Sequence, residues 1–421
     1  MVFTDMQTHR PSYTTWMKLL KWSSFIPLFV IVATLTTATI VEKQCGTDFA
    51  NEHIYTSWWM MGLWSISALS GLAYLCLVRM WKSAATFTLH LSFILILAGA
   101  LTTHLLGTQG RMHLRQEALP TRSFYTSAHT ERQLPFALSL DTFCIEYYPN
   151  TTTAKDYVST LTIHDKQKGT MGATIAMNRI CTHQHYRLYQ TSFDDDLQGT
   201  ILTISHDPYG ITITYAGYLM LLISAIGFFM QKRSGLRNLL RSSTLAMRTI
   251  VIIGGICGAL LAVVMVMSHT HGSEPLIPVL RSPLLSIHVS VIMMTYALLA
   301  CTFVCGIVAE WGHHKGDREK VERLGVVSRI ALYPAVILLA MGIFIGAVWA
   351  NVSWGRYWAW DPKEVWALIT MLIYAAPFHK YSLPIFSNAK ALHRYCIVAF
   401  LAVLMTYFGV NFLLGGMHSY G

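Results

Sequence analysis

Residues 329–379 read RIALYPAVILLAMGIFIGAVWANVSWGRYWAWDPKEVWALITMLIYAAPFH. Two apolar runs, 329–350 and 364–379, flank a connection crowded with aromatic rings. An apolar run of roughly 17–25 residues spans the hydrocarbon core of a bilayer as a helix. Working outward, the same texture recurs at 23–41, 58–79, 84–107, 211–230, 248–268, 285–308 and 395–414, which makes nine spans. The chain of 421 residues is 53% hydrophobic and 12% charged, with a mean hydropathy of +0.44. A soluble protein carries about a quarter charged residues. The expected fold class is an all-α polytopic membrane protein of about nine transmembrane helices, with a small β-rich extracytoplasmic domain inserted after the third.

That insert, residues 108–210, trades apolar runs for short alternating segments. Tyr157–Ile163, Tyr186–Tyr189 and Thr200–Ile204 read as strands, and His206–Gly210 as a turn. The acids Asp194, Asp195 and Asp196 read as a solvated loop, because no calcium-loop spacing follows them. Lys18 and Lys21 precede the first span without a small-residue cleavage site, the pattern of a retained anchor. With a cytoplasmic N-terminus, 18 of the 31 lysines and arginines fall on cytoplasmic segments, as the positive-inside rule requires. The net charge of +10 is therefore a topology signal and not a nucleic-acid footprint. The aromatic loop and the C-terminus then lie outside. Eight cysteines form no CxxC pair; Cys45, Cys144 and Cys181 face outward, and sequence assigns no disulfide among them.

Within the quoted stretch, residues 354–366 (WGRYWAWDPKEVW) hold four tryptophans in thirteen positions. Interfacial belts place an aromatic or two near each helix end, as Trp16, Trp22, Trp81 and Trp311 do. They do not explain Trp354, Trp358, Trp360 and Trp366 together. If the segment is partly helical, several rings share one face and form a platform suited to a planar ring system. Asp361, Pro362 and Glu364 have the form of a helix start, with an N-cap aspartate, proline at N1 and glutamate at N3.

A planar ring in a protein without a metal–thiolate motif points to haem, whose iron takes axial histidines. His288 opens the sixth span and His418 follows the ninth, both on the side of the aromatic loop. His90 lies inside the third span, where an ionisable group is costly and marks function by default. His379 sits at similar depth at the inner end of the eighth span. His104 and His393 are the competing intramembrane and inner-surface candidates.

WGRYWAWDPKEVW resembles the tryptophan-rich WWD signature of the haem-handling proteins of cytochrome c biogenesis. SIHV (286–289) and FGVNFLLGGMHSYG (408–421) resemble the CcsA (ResC) branch. IYTSWWMMGLW, LHLSFILILAGALTTHLLGTQG and the insert's close MNRICTHQHYRLYQTSF resemble CcsB (ResB). The whole is similar to the fused CcsBA family, the System II cytochrome c synthases. The insert is far shorter than the family's usual outer domain.

The resemblance implies the following. Residues 1–107 are a CcsB/ResB-like membrane part, 108–210 the outer domain, 211–247 the fourth span with a basic cytoplasmic loop, and 248–421 a CcsA/ResC-like part with its WWD loop at 350–366. Haem b is substrate and bound ligand, held first by His90 and His379 and then, at the outer surface, by His288 and His418 in the catalytic position. Trp354, Gly355, Arg356, Tyr357, Trp358, Trp360, Asp361, Glu364 and Trp366 form the cover of the macrocycle. Apart from the resemblance, anionic propionates seek guanidinium donors, which makes Arg356 the first candidate partner and Arg281 the second. The implied activity is a haem lyase, a holocytochrome c synthase of the bacterial inner membrane. The implied partners are an apocytochrome c with a CxxCH motif, thiol-reducing proteins of the outer compartment and the lipid bilayer. The alternative is a haem transporter or chaperone that delivers haem without joining it to the cytochrome. An electron-transfer cytochrome b offers no reason for the WWD loop, and an ordinary solute transporter would purify without haem.

Overall fold

The computed structural model describes residues 11–126, 128–231, 278–280 and 282–414. The expected fifth span (248–268), Arg281 and His418 lie outside the described residues. The helices are α1 (Pro11–Cys45), α2 (Thr47–Ala50), α3 (Trp58–Leu77), α4 (Ala84–Leu106), α5 (Gly210–Met230), α6 (Pro283–His314), α7 (Arg318–Trp354), α8 (Pro362–Ala375) and α9 (Ala389–Leu404). Among the described residues, seven helices are long and apolar enough to cross a membrane: α1, α3, α4, α5, α6, α7 and the helix that runs from α9 to Leu414. The expected span 364–379 is shorter than that, a 14-residue α8 followed by a 3-10 turn at Ala376–His379. The chain is a multi-pass membrane protein.

Between α4 and α5 lie eight strands: β1 (Thr108–Arg115), β2 (Thr121–Thr126), β3 (Glu131–Tyr147), β4 (Ala154–Asp165), β5 (Gly169–Ala176), β6 (Cys181–His183), β7 (Tyr186–Phe193) and β8 (Gly199–His206). They form one antiparallel sheet in the order β5-β4-β3-β2-β1-β8-β7-β6. The sheet curls until β5 meets β6 and β7, close to a barrel. This overturns the all-α class with a small β-rich insert: the chain is mostly helical but carries a full eight-stranded antiparallel sheet. The alternation that marks a strand in sequence is broken here by geometry. Bulges interrupt the β3–β4 register between Leu140 and Thr142 and again between Glu146 and Tyr147. Phe136, Ala137 and Leu138 are buried in succession, which period-2 reading cannot anticipate.

Leu138, Leu161, Leu188 and Leu202 fill the inside of the curl. Ser159 on β4 bridges to Gln190 on β7 (2.7 Å) and Thr200 on β8 (3.0 Å), so the buried polar atoms there are satisfied across the curl. The acids at 194–196 are not merely solvated. Asp194 accepts from Arg115 (2.7 Å) and His113 (2.9 Å), and Asp196 accepts from Arg115 (2.5 Å).

β1 and β8 pair from Thr108↔His206 to Arg115↔Gly199, so the chain enters and leaves the sheet at adjacent positions. Below them α4 and α5 pack along their length through small residues, the usual device between helices in lipid. A side chain at Gly99 would collide with Thr214, and a Cβ at Gly217 would lie 2.7 Å from Ile96. Cys45, Cys144 and Cys181 are free thiols.

Candidate functional site

The connection between α7 and α8 is not helical. Helix α7 ends at Gly355, whose left-handed φ of 81° suits a residue without a side chain. Helix α8 starts at Asp361, which accepts from the Lys363 amide at 2.9 Å, and Pro362 fills the first turn. Glu364 reaches back to accept from the Ala359 amide at 2.8 Å. Trp360 has φ 59°, a left-handed conformation that costs a bulky residue about 1–3 kcal/mol. Surrounding contacts must hold it there.

Those contacts come from three directions. From the first helix and the turn after it, Tyr55 stacks on Trp360 with ring centroids 5.1 Å apart and planes 4° from parallel. On the same side Thr39 accepts from the Trp366 indole at 3.2 Å. From α4 and α5, Tyr357 donates to Thr103 (2.6 Å), Thr103 donates to Asp207 (2.5 Å), and Asn351 donates to Tyr215 (2.6 Å). From the sheet, Asn178 accepts from the Ser353 hydroxyl, and the Tyr189 ring lies against Gly355.

All four tryptophans are half-buried, but they do not share the one face that a helical segment would give. Trp354 packs edge-on against Trp349 (4.8 Å). Trp358 packs against Ala347 and Tyr357, while Trp360 and Trp366 turn to α1. Trp358 and Trp360 stand 86° apart at 5.7 Å. The irregular backbone from 355 to 361, left-handed at Gly355 and Trp360, sends successive rings to different sides. Arg356 is exposed.

His90 on α4 and His379 after α8 meet: their ring centroids are 6.0 Å apart and their planes 88° apart. Each ring is held by the carbonyl four residues before it, His90 Nδ1 by Thr86 (2.8 Å) and His379 Nδ1 by Ala375 (3.1 Å). A carbonyl only accepts, so Nδ1 carries the proton in both rings and the lone pair lies on Nε2. Phe25 of α1 meets the His379 ring edge-on at 5.4 Å. From Asp361 to His379 the chain rises by roughly 27 Å at helical pitch, which is about the thickness of a hydrocarbon core. The histidine pair and the tryptophan loop thus lie at opposite ends of α8.

His288 on α6 donates through Nδ1 to the Gly342 carbonyl at 2.7 Å, which again leaves the lone pair on Nε2. Gly346 gives the ring its room; a Cβ there would stand 2.6 Å from the imidazole. Gly346 precedes Trp354 by eight residues, about 12 Å of helix. Of the competitors, His104 is exposed, and His393 is 1% exposed and donates to the Val321 carbonyl at 3.1 Å between α7 and α9. Neither meets another histidine ring among the described residues. Sequence reasoning missed Tyr55, Thr39, Thr103 and Tyr189 as supports of the loop. The signal lay only in tertiary contacts, since each reads locally as an ordinary polar or aromatic residue near a span.

Two families match the chain. Residues 80–205 match the ResB-like family, and residues 210–418 match the cytochrome C assembly protein family. The chain is a CcsBA-type cytochrome c biogenesis protein. In this fusion His90 belongs to the ResB-like part, and His288, His379 and His418 to the assembly part. The His90–His379 pair therefore joins the two matched parts. Among relatives, the fusion is 40% identical over 151 residues to the protein NrfI of Wolinella succinogenes, covering 34% of this chain and 17% of that protein. It is 36% identical over 174 residues to the cytochrome c biogenesis protein CcsA of Guillardia theta, covering 35% of this chain and 58% of that one. With CcsA of Chlamydomonas reinhardtii it shares 37% identity over 155 residues, 35% of this chain and 44% of that protein. The fusion thus spans less than two thirds of the length of each of these relatives.

Proposed function

We propose that the chain takes up haem b between His90 and His379, passes it to the tryptophan loop, and joins it to the CxxCH cysteines of an apocytochrome c. The observation that carries this reading is the histidine pair. Two imidazoles on one metal, with bonds of about 2 Å and about 1 Å from nitrogen to ring centre, stand about 6 Å apart. His90 and His379 stand at 6.0 Å, with the lone pair of each on Nε2. Among the described residues no group of three or more His, Cys, Asp or Glu could hold a bare metal ion. Haem iron asks the protein for only two ligands, because the porphyrin supplies four.

At the tryptophan loop His288 and His418 are the axial ligands, and the segment from Trp354 to Trp366 covers the macrocycle, with Gly355, Arg356, Tyr357, Trp358, Trp360, Asp361 and Glu364 between. Arg356 pairs with a propionate. Each thioether forms as a cysteine thiol adds across a vinyl group. Sulfur bonds to the inner carbon, hydrogen goes to the terminal carbon, and the double bond becomes single. No electron acceptor is needed, but the thiols must be reduced, hence a thiol-reducing partner. The protein accelerates the addition by holding the two reactants in register. The histidine of CxxCH then displaces one external ligand. The proposed location is a bacterial cytoplasmic membrane, and the lysine and arginine distribution favours the N-terminus inside and the loop outside. Residues 1–107, 108–210, 211–247 and 248–421 are the proposed functional parts.

Co-expression with a CxxCH apocytochrome in a host stripped of its own maturation system tests this reading. Haem stain on the denatured cytochrome supports a complete synthase. Haem retained on the membrane protein, with none covalently on the cytochrome, reduces the chain to a haem carrier.

A further inference from the structure

The tryptophan loop is braced by residues of the first helix and the turn after it that belong neither to the loop nor to the histidine sites. Glu42, in the last turn of α1, is 7% exposed, and Tyr55 is 2% exposed. Tyr55 donates its hydroxyl to Glu42 Oε2 at 3.0 Å, and Thr47 donates to Glu42 Oε1 at 3.0 Å. The carboxylate is thus fixed through both oxygens and cannot swing away from the phenol. The other face of the arrangement is the parallel stack of Tyr55 on Trp360.

These contacts constrain different motions. A parallel stack resists tilting of one ring on the other but resists sliding only weakly. The bond from the phenol hydroxyl to Glu42 pins the far end of the Tyr55 ring and removes the sliding. Trp360 needs such support because its backbone is in the left-handed region. We infer that Glu42 and Tyr55 are positioning residues: they hold Trp360 at right angles to Trp358 and so set the aromatic surface the loop offers to a planar macrocycle. This inference rests on the proposal that the loop receives haem.

The test uses the full-length chain with Tyr55→Leu, Tyr55→Phe and Glu42→Leu. One measurement needs no haem: hydrogen exchange of the peptide covering 355–361, with exchange in the sheet and α9 as the control for folding. The second is the absorption spectrum and reduction potential of copurified haem, with His90 and His379 intact. Tyr55→Leu removes the stack and should speed loop exchange about tenfold while shifting spectrum and potential. Tyr55→Phe and Glu42→Leu each remove one partner of the same hydrogen bond, so each should move both readouts in the same direction by a smaller factor. Combining them should add little. Unchanged loop exchange in Tyr55→Leu, with the controls intact, overturns the positioning role. Faster loop exchange with unaltered haem keeps the brace but overturns the loop as the surface that receives haem.

Discussion

The Tyr189 ring occupies the space where Gly355 would carry a side chain, with a Cβ there only 2.7 Å from the ring. The same glycine has φ 81°, so Gly355→Ala meets a backbone and a steric penalty together. The backbone part alone costs about 1–2 kcal/mol. We expect a Tm lower by several degrees and easier proteolysis between α7 and α8, both measurable without haem. At the histidines, His90→Ala or His379→Ala removes half of the proposed two-ligand set. Either variant should lose most of its copurified haem, with recovery on added imidazole; haem content equal to wild type in both would remove the pair from the haem route. Sequence gave the depth of these residues but not their meeting. His90, His104, His379 and His393 all read as plausible by position, and only the packing of α4 beside the turn after α8 separates the pair from the others.

Among the elements, the start of α8 was legible because it is encoded locally. Asp361, Pro362 and Glu364 predict a cap, and Asp361 does accept from the Lys363 amide. Asp361→Ala should cost about 1 kcal/mol, read as a lower Tm, and should loosen the loop before it. The sheet was the least legible. Three of its strand segments show in the sequence; the rest are hidden by bulges and by the burial of both faces that comes with curling. The turn after β4 adds a pH dependence. Asp165 accepts from the Gln167 and Lys168 amides, His183 and Gln184, and these bonds hold its carboxyl well below the usual range, the Gln167 amide foremost. A group with a depressed folded pKa stabilises the fold above its unfolded pKa, about 3.9, and the stability is lost as pH falls through the folded value. Acid unfolding of the sheet, followed by circular dichroism, should therefore deepen below about pH 4, and Asp165→Asn should flatten that limb.

At the scale of the whole molecule, the segments that match the ResB-like family (80–205) and the assembly family (210–418) meet at both ends of α8, through His90 and His379 at one end and through Thr103 and Tyr357 at the other, where Tyr55 and Thr39 of the preceding segment join them. None of these meetings is written in either part alone, which is why the loop read as a free-standing platform and is instead a wedge held from three sides. Helices α4 and α5 carry the sheet and must stay close for Thr103 and Tyr215 to reach the loop. Gly99→Leu should force them apart at a cost of about 1–3 kcal/mol or more. Cross-linking between cysteines placed on the two helices would then fall, along with haem retention.

The β1–β8 pairing also makes the sheet a graft on a single two-stranded stem. Asn178, Tyr189 and the stem itself are among its anchors to the membrane part, while the turn of the β4–β5 hairpin is exposed at residues 166–168. Length added or removed at that far hairpin leaves the rooted end unaltered. A lineage can therefore enlarge or prune the domain without redesigning the helices beneath.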